Sequence, residues 1–181
     1  MQVRPTSDRL RETLFNVIAP RIEGARFLDL CAGSGAVGIE ALSRGAAYGT
    51  FVDRSRRMCR LIESNLHLCL IPENETEIVQ AEVVEFLRRA ANVTRNKPWD
   101  IAFYDPPYAT DYLQVLELFG RHTDALLAED CLLIVEHHHK KTLEEEVGDL
   151  HRRRILKQGD SALSFYENKS TDEFSRTEEL P

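Results

Sequence analysis

No stretch of the sequence comes near the roughly 18 consecutive apolar residues that a membrane-crossing helix needs, so no membrane role is expected. The opening residues, Met1 to Asp8, mix charge and proline where a secretory leader would be continuously apolar, and the chain is therefore expected in the cytoplasm. The four cysteines, Cys31, Cys59, Cys69 and Cys131, form no CxxC pair. That removes the commonest cysteine metal and redox motifs. Three of the four lie in apolar segments where a thiol packs as a small hydrophobe, so reduced thiols and no metal are expected. Internal repeats are absent, which excludes a solenoid or propeller. Positive charge is also short: 23 Lys and Arg face 30 Asp and Glu, a net charge of −7. Taken alone, this sum argues against a nucleic-acid partner, because phosphates are neutralised by cations. Its distribution reverses the emphasis. Residues 1–60 hold ten arginines against six acids, whereas residues 167–181 hold two basic residues against five acidic ones. The amino-terminal third is therefore the part able to face an anion.

What is present is an ordinary globular composition, 43% apolar and 29% charged over 181 residues, which suits one domain and one site. Short β-type runs alternate with helix-type segments, the habit of a parallel sheet with crossover helices. Strands are expected at Arg26–Cys31, Tyr48–Asp53, Thr76–Ala81, Asp100–Asp105 and Cys131–Glu136. Apolar residues recurring at three and four predict helices over Val37–Arg44, Ser55–Leu68, Val83–Ala91, Tyr112–His122 and Lys140–Val147. Arg152–Lys157 and Ala162–Glu167 flank a Gly159-Asp160 turn signal and read as a hairpin. Five parallel strands with a terminal hairpin inserting one antiparallel strand, helices on both faces, is the α/β plan of class I methyltransferases. Ser7–Ala19 carries Leu10, Leu14, Val17 and Ile18 at helical spacing. It reads as an extra helix laid on the sheet edge, with Arg4, Arg9 and Arg11 on its polar side. One domain is expected over residues 1–167, with residues 1–24 packed on it. Residues 168–181, acidic and without periodicity, are expected to be a disordered tail.

Phe27-Leu28-Asp29-Leu30-Cys31-Ala32-Gly33-Ser34-Gly35-Ala36-Val37-Gly38 reads as a strand, a tight glycine turn and a helix start. Gly33, Gly35 and Gly38 spell GxGxxG, and Asp53 follows Gly33 by twenty positions, so spacing alone also satisfies the dinucleotide fingerprint. Asp29 separates the two readings. A dinucleotide places a doubly charged pyrophosphate on this turn, and a carboxylate four residues before the first glycine repels it. S-adenosylmethionine presents an ammonium and a sulfonium there instead, and Asp29 becomes a favourable partner, directly or through water. Cys31, Ala32, Gly33, Ser34 and Gly35 then form the turn that the cofactor touches. Asp53, followed by Arg54, accepts from the ribose hydroxyls, and Glu82 with Val83 lies where this fold places an acid near the adenine amino group. A bland reading stands beside each: a turn or capping aspartate for Asp29, and an exposed glutamate at a helix start for Glu82.

Asp105-Pro106-Pro107-Tyr108 follows the apolar run Ile101–Tyr104, at the carboxyl end of the fourth strand, where open α/β sheets bind ligands. An exocyclic base nitrogen is a poor nucleophile because its lone pair is delocalised into the ring. Asp105 is placed to accept one N–H, and a backbone carbonyl, that of Pro106, the other. Pro106 and Pro107 fix their own φ and restrict the residues before them, so the carbonyl is held before substrate arrives. Tyr108 offers a face on which an extruded base can lie. The alternative is a proline-rich turn with Tyr108 as a packing residue.

Arg4-Pro5-Thr6-Ser7-Asp8-Arg9-Leu10-Arg11-Glu12-Thr13-Leu14-Phe15-Asn16, the glycine segment Phe27–Gly35 and Asp105-Pro106-Pro107-Tyr108 together resemble the bacterial 16S ribosomal RNA guanine-N2 methyltransferases over about Arg4 to Glu167. The resemblance implies S-adenosylmethionine as cofactor, a guanine N2 acceptor and the assembled small subunit as substrate. It also puts Arg4, Thr6, Arg9, Arg11, Phe15 and Asn16 against the RNA. Arg54, Arg56, Arg57 and Arg60 form a second cluster for RNA contact; for any one of these arginines a solvated helix face is the bland alternative. A monomer is expected. Adjacent histidines in His137-His138-His139 should point in different directions, with no nearby carboxylate pattern, so no metal is expected there. Other acceptors stay open: adenine in DNA or RNA, or a protein amide. About 25 residues between the fourth and fifth strands leave no room for a DNA target-recognition domain. Amide-directed enzymes usually begin the tetrapeptide with Asn. A catalytically lapsed cofactor-binding assembly factor and, distantly, a dehydrogenase complete the alternatives.

Overall fold

The computed structural model describes residues 8–93, 97–107 and 110–169. In chain order the elements are α1 (Asp8–Ile22), β1 (Arg26–Leu30), α2 (Ala36–Ser43), β2 (Tyr48–Asp53), α3 (Arg56–Leu68), β3 (Thr76–Gln80), α4 (Val83–Ala91), β4 (Trp99–Tyr104), α5 (Tyr112–Arg121), α6 (Thr123–Leu126), β5 (Leu127–His138), β6 (Glu146–Val147), β7 (Leu150–Gln158) and β8 (Ser161–Asn168). They build one sheet of eight strands in the order β3-β2-β1-β4-β5-β8-β7-β6. The five strands from β3 to β5 run parallel, and β8 enters antiparallel between β5 and β7. This is the mixed sheet of the methyltransferase-like α/β fold.

The central strands are apolar on both faces because helices cover both. Phe27, Phe51, Ile101, Phe103, Ile134 and Phe165 pack under α1, α2 and α3. Leu28, Leu30, Val52, Ala102, Leu133 and Val135 pack under α4, α5 and α6. Trp99 is fully buried and its indole Nε1 donates to Thr50 Oγ1 at 3.1 Å, so the largest side chain of the core leaves no unmatched donor. Because the chain winds from β1 through β2 to β3 in one direction and from β4 to β5 in the other, the order reverses between β1 and β4. The carboxyl ends of those two strands open onto the crevice where such sheets take ligands.

Three expectations are corrected. Lys140–Val147 is not a helix: Leu143 and Val147 are buried four residues apart, but Glu146–Val147 pairs antiparallel with Leu150 and His151 across a turn at Gly148. There α5 and the turn meet backbone to backbone, and a Cβ on Gly120 would collide with the Val147 carbonyl. Next, α1 lies over the sheet face and not at its edge. Its Leu10, Leu14, Phe15, Ile18 and Ile22 share a core with β1, β4, β5 and β8. Finally, the last strand reaches Asn168, whose neighbour Lys169 donates its N–H to Asp149 O at 2.8 Å, so ordered structure continues past residue 167. The rest of the expected tail, residues 170–181, lies outside the described residues.

Candidate active site

After Leu30 the chain turns sharply: Cys31, Gly33 and Gly35 all have positive φ (62°, 56° and 78°) before α2 begins. Two of the three are glycine, which takes this conformation without Cβ strain; Cys31 adopts it despite carrying a side chain. Three side chains from three elements hold the turn. Asp53, at the end of β2, accepts from Gly33 N at 2.9 Å with one oxygen and from Ser55 N at 2.8 Å with the other. Asp29 accepts from Gly38 N at 2.9 Å. Asn65, on α3, donates Nδ2 to Ser34 O at 2.9 Å. The sequence offered no motif for Asn65; its only signal is a polar residue beside the buried Ile62 and Leu66 of an amphipathic helix. Gly38 completes the GxGxxG match for a packing reason, since a Cβ there would collide with the Phe51 ring.

Asp29 is only 2% exposed, and burial lifts its carboxyl to about 7, against the pull of the Gly38 N–H and with a further push from Asp53. Cys31 is raised to about 12, first by desolvation and then by Asp53, Asp105, Asp29 and Glu82. The cation beside them, Arg54, lies 3.6 Å from Glu82, in a pair whose side chains are both more than 60% exposed and therefore weak. Such a donor set repels phosphate and favours a ligand carrying positive charge, as the sulfonium and ammonium of S-adenosylmethionine do. Each carboxylate oxygen of Asp53 keeps a second lone pair for a ribose hydroxyl. Glu82 is the N-cap residue of α4 but its side chain makes no capping hydrogen bond, and Val83, the first residue of that helix, is buried.

The Asp105 turn meets this loop directly, because Asp105 N donates to Leu30 O at 3.3 Å and extends the β4–β1 pairing by one residue. Asp105 is half-buried, Pro106 buried and Pro107 exposed. The Pro107 carbonyl accepts from Thr110 N at 2.9 Å, and Asp111 caps α5 through Leu113 N. Tyr108 lies outside the described residues.

A family model described as conserved hypothetical protein 95 matches residues 1–167. The chain belongs to the conserved hypothetical protein 95 family. Its relatives include the ribosomal RNA small subunit methyltransferase D of Escherichia coli (strain K12), 33% identical over 174 residues, which span 94% of this chain and 82% of the relative. A Bacillus subtilis (strain 168) protein provisionally named an rRNA methyltransferase is 35% identical over 167 residues, 92% of this chain and 88% of that one. A solved structure of a conserved hypothetical protein from Streptococcus pyogenes superimposes with a TM-score of 0.76 at 30% identity, covering 88% of this chain and 96% of that one.

Within this family member, the residues expected against RNA separate. Arg9 and Asn16 are exposed on α1. The Thr13 hydroxyl of α1 lies 3.1 Å from the Gln158 side-chain oxygen at the end of β7, which puts Arg9 at the carboxyl side of the sheet. Arg11 is largely engaged, donating to Glu40 at 2.7 Å and Asp8 at 2.9 Å. Phe15 is 0% exposed and sits in the core, so its assignment to RNA contact is withdrawn: its ring fills the space between α1 and the sheet. Arg4 and Thr6 lie outside the described residues. The histidine run is corrected as well. His138 and His139 stack with centroids 4.6 Å apart, and Asp160 lies 3.9 Å from His139 Nδ1. Only His137 turns away, inward to Ser164 Oγ at 2.8 Å, where burial lowers its basicity. The described residues include no helix long and apolar enough to cross a membrane.

Proposed function

We propose that this chain transfers a methyl group from S-adenosylmethionine to the exocyclic N2 amino group of a guanine in small-subunit ribosomal RNA. The acceptor is presented by the assembled subunit and the protein acts as a monomer. The observation that carries this reading is that Asp29 holds Gly38 N, Asp53 holds Gly33 N and Asp105 N pairs with Leu30 O, so three acidic residues meet the glycine turn at the junction of β1 and β4. The name of the Escherichia coli relative supports the RNA, and the Arg4–Asn16 segment, with its family likeness, supports the guanine.

When bound on the glycine turn, the cofactor supplies an electrophilic methyl on a sulfonium. The remaining work belongs to the chain. Asp53 would accept from the ribose, Glu82 and Val83 would receive the adenine, and Cys31 to Gly35 would bring backbone close to the ligand. Asp105 would accept one N–H of the substrate amine and the Pro106 carbonyl the other, which localises the nitrogen lone pair for the displacement, and the proton that the methylated nitrogen sheds would leave through Asp105. Tyr108 supports the base. The two prolines preorganise these acceptors, so little reorganisation accompanies the displacement. A thiol held neutral at Cys31 does not compete as a nucleophile.

The test is methyl transfer from labelled cofactor to small subunits lacking native modifications, followed by nucleoside mass spectrometry. N2-methylguanosine is expected from the wild type. Asp105→Ala should lose roughly 10²–10⁴-fold in kcat, the usual range for a positioned proton acceptor, while still binding the cofactor. Label recovered on another base, or full activity in Asp105→Ala, would overturn the assignment.

A further inference from the structure

Arg56, Arg57 and Arg60 occupy the first two turns of α3, and no acidic residue shares its first turn. Cations at the start of a helix oppose the helix dipole. Arg60 is three residues from Arg57 and four from Arg56, so all three lie on one face and repel one another. All are exposed, on the side away from the buried Ile62 and Leu66. Five arginines elsewhere are matched to carboxylates: Arg11 and Arg44 to Glu40, Arg21 to Glu167, Arg89 to Glu85 and Arg121 to Glu117. Arg56, Arg57 and Arg60 have no carboxylate partner among the described residues. In a chain with a net charge of −7, three cations set against both a dipole and each other form a local conflict that the fold does not relieve.

Their position gives the conflict a use. The first turn of α3 is fastened to the active site, because Asp53 accepts from Ser55 N at 2.8 Å with the same carboxylate that holds Gly33. In the sheet order β2-β1-β4, this turn stands two strands from Asp105, or about 10 Å at the usual strand spacing. RNA that lays a base against Asp105 carries its flanking phosphates along this carboxyl edge.

We propose that Arg56, Arg57 and Arg60 form the surface that binds the phosphodiester backbone of the substrate RNA beside the target nucleotide, an inference that rests on the ribosomal RNA reading above. A phosphate backbone there neutralises the three charges and complements the helix dipole together. An acidic protein segment has the same charge but no reason to lie along the edge that delivers a base.

The experiment compares the wild type with Arg56→Gln/Arg57→Gln/Arg60→Gln and Arg56→Lys/Arg57→Lys/Arg60→Lys, using Arg88→Gln, an exposed arginine of α4, as control. The glutamine triple should melt no lower than the wild type, because it removes the repulsion. Its KM for small subunits should rise about tenfold or more at physiological salt, and the slope of log affinity for a small-subunit RNA fragment against log salt should flatten by up to about 2, near 0.7 for each single-strand phosphate that is no longer neutralised. Cofactor affinity should not change, and the lysine triple should retain most RNA affinity. If the wild type labels subunits while the glutamine triple keeps the KM and salt slope of the wild type, this surface is refuted and the methylation reading stands. If the wild type labels no ribosomal RNA, the functional reading fails and takes this one with it. Competition by polyglutamate as effective as by the RNA fragment would assign the face to an acidic protein and overturn the proposal.

Discussion

Asp29 couples the fold of the glycine turn to pH. Its carboxyl is raised from the ordinary carboxylate range to about 7, so the folded protein keeps a proton that the unfolded chain loses near pH 4. The folded state therefore binds more protons across that interval, and this group's contribution to stability declines as pH rises from about 4 to 7. A cation bound beside Asp29 favours the ionised form and releases that proton. Cofactor affinity is thus expected to weaken as pH falls below about 7, approaching tenfold per unit, and proton release on binding should appear in calorimetry across buffers of different ionisation enthalpy. Asn in place of Asp29 keeps an oxygen for Gly38 N, so Asp29→Asn should bind more weakly at pH 8 yet show no pH dependence from this source. A pH profile unchanged by Asp29→Asn would remove the residue from cofactor binding.

Among the elements, α3 does more for the site than its sequence announces. It is capped by Ser55, fastened through Asp53, and reaches back through Asn65 to the Ser34 carbonyl. That last bond has the strength of an ordinary hydrogen bond, about 0.5–1.5 kcal/mol net. Asn65→Ala should therefore raise the cofactor dissociation constant about two- to twelvefold and leave the KM for RNA unchanged; isothermal titration and steady-state kinetics separate the two. A drop in thermal stability with unchanged cofactor affinity would reduce Asn65 to a packing role. The strands β1 to β4, helices α2 to α5 and the hairpin were readable to within a few residues because period and turn residues agreed there. Asp29, Asp53 and Asp105 were readable because each ends or interrupts an apolar strand. Asn65 was not, since a long-range bond to a backbone carbonyl leaves no local pattern. The stretch Lys140–Val147 was misread because Leu143 and Val147 satisfy helical spacing while being buried separately, one in a loop and one in β6. Phe15 was misassigned because a motif groups residues by sequence, whereas the period of α1 turns that ring inward.

At the scale of the whole molecule, the two faces of the sheet are sealed at different points. One is closed by α5 against the β6 turn, where Gly120 and Gly148 bring two backbones into contact. A methyl group added at Gly120 must push that turn away, so Gly120→Ala is expected to cost about 1–3 kcal/mol, the usual penalty for overpacking, and to lower Tm by several degrees without altering the salt dependence of RNA binding. A variant as stable as the wild type would show that the turn moves freely. The other face is closed by α1, whose Arg21 meets Glu167 at 2.6 Å and whose Phe15 and Ile18 share a core with Leu163 and Phe165 of β8. The first described helix therefore rests in part on the last described strand. During synthesis α1 waits for about 140 further residues before the last part of its seat exists, and such distant closure is slow to form. A nascent chain held on a ribosome short of β8 should remain sensitive to protease at its amino-terminal end. On this account, an enzyme proposed to modify ribosomes cannot seal this face of its sheet while β8 is still inside one.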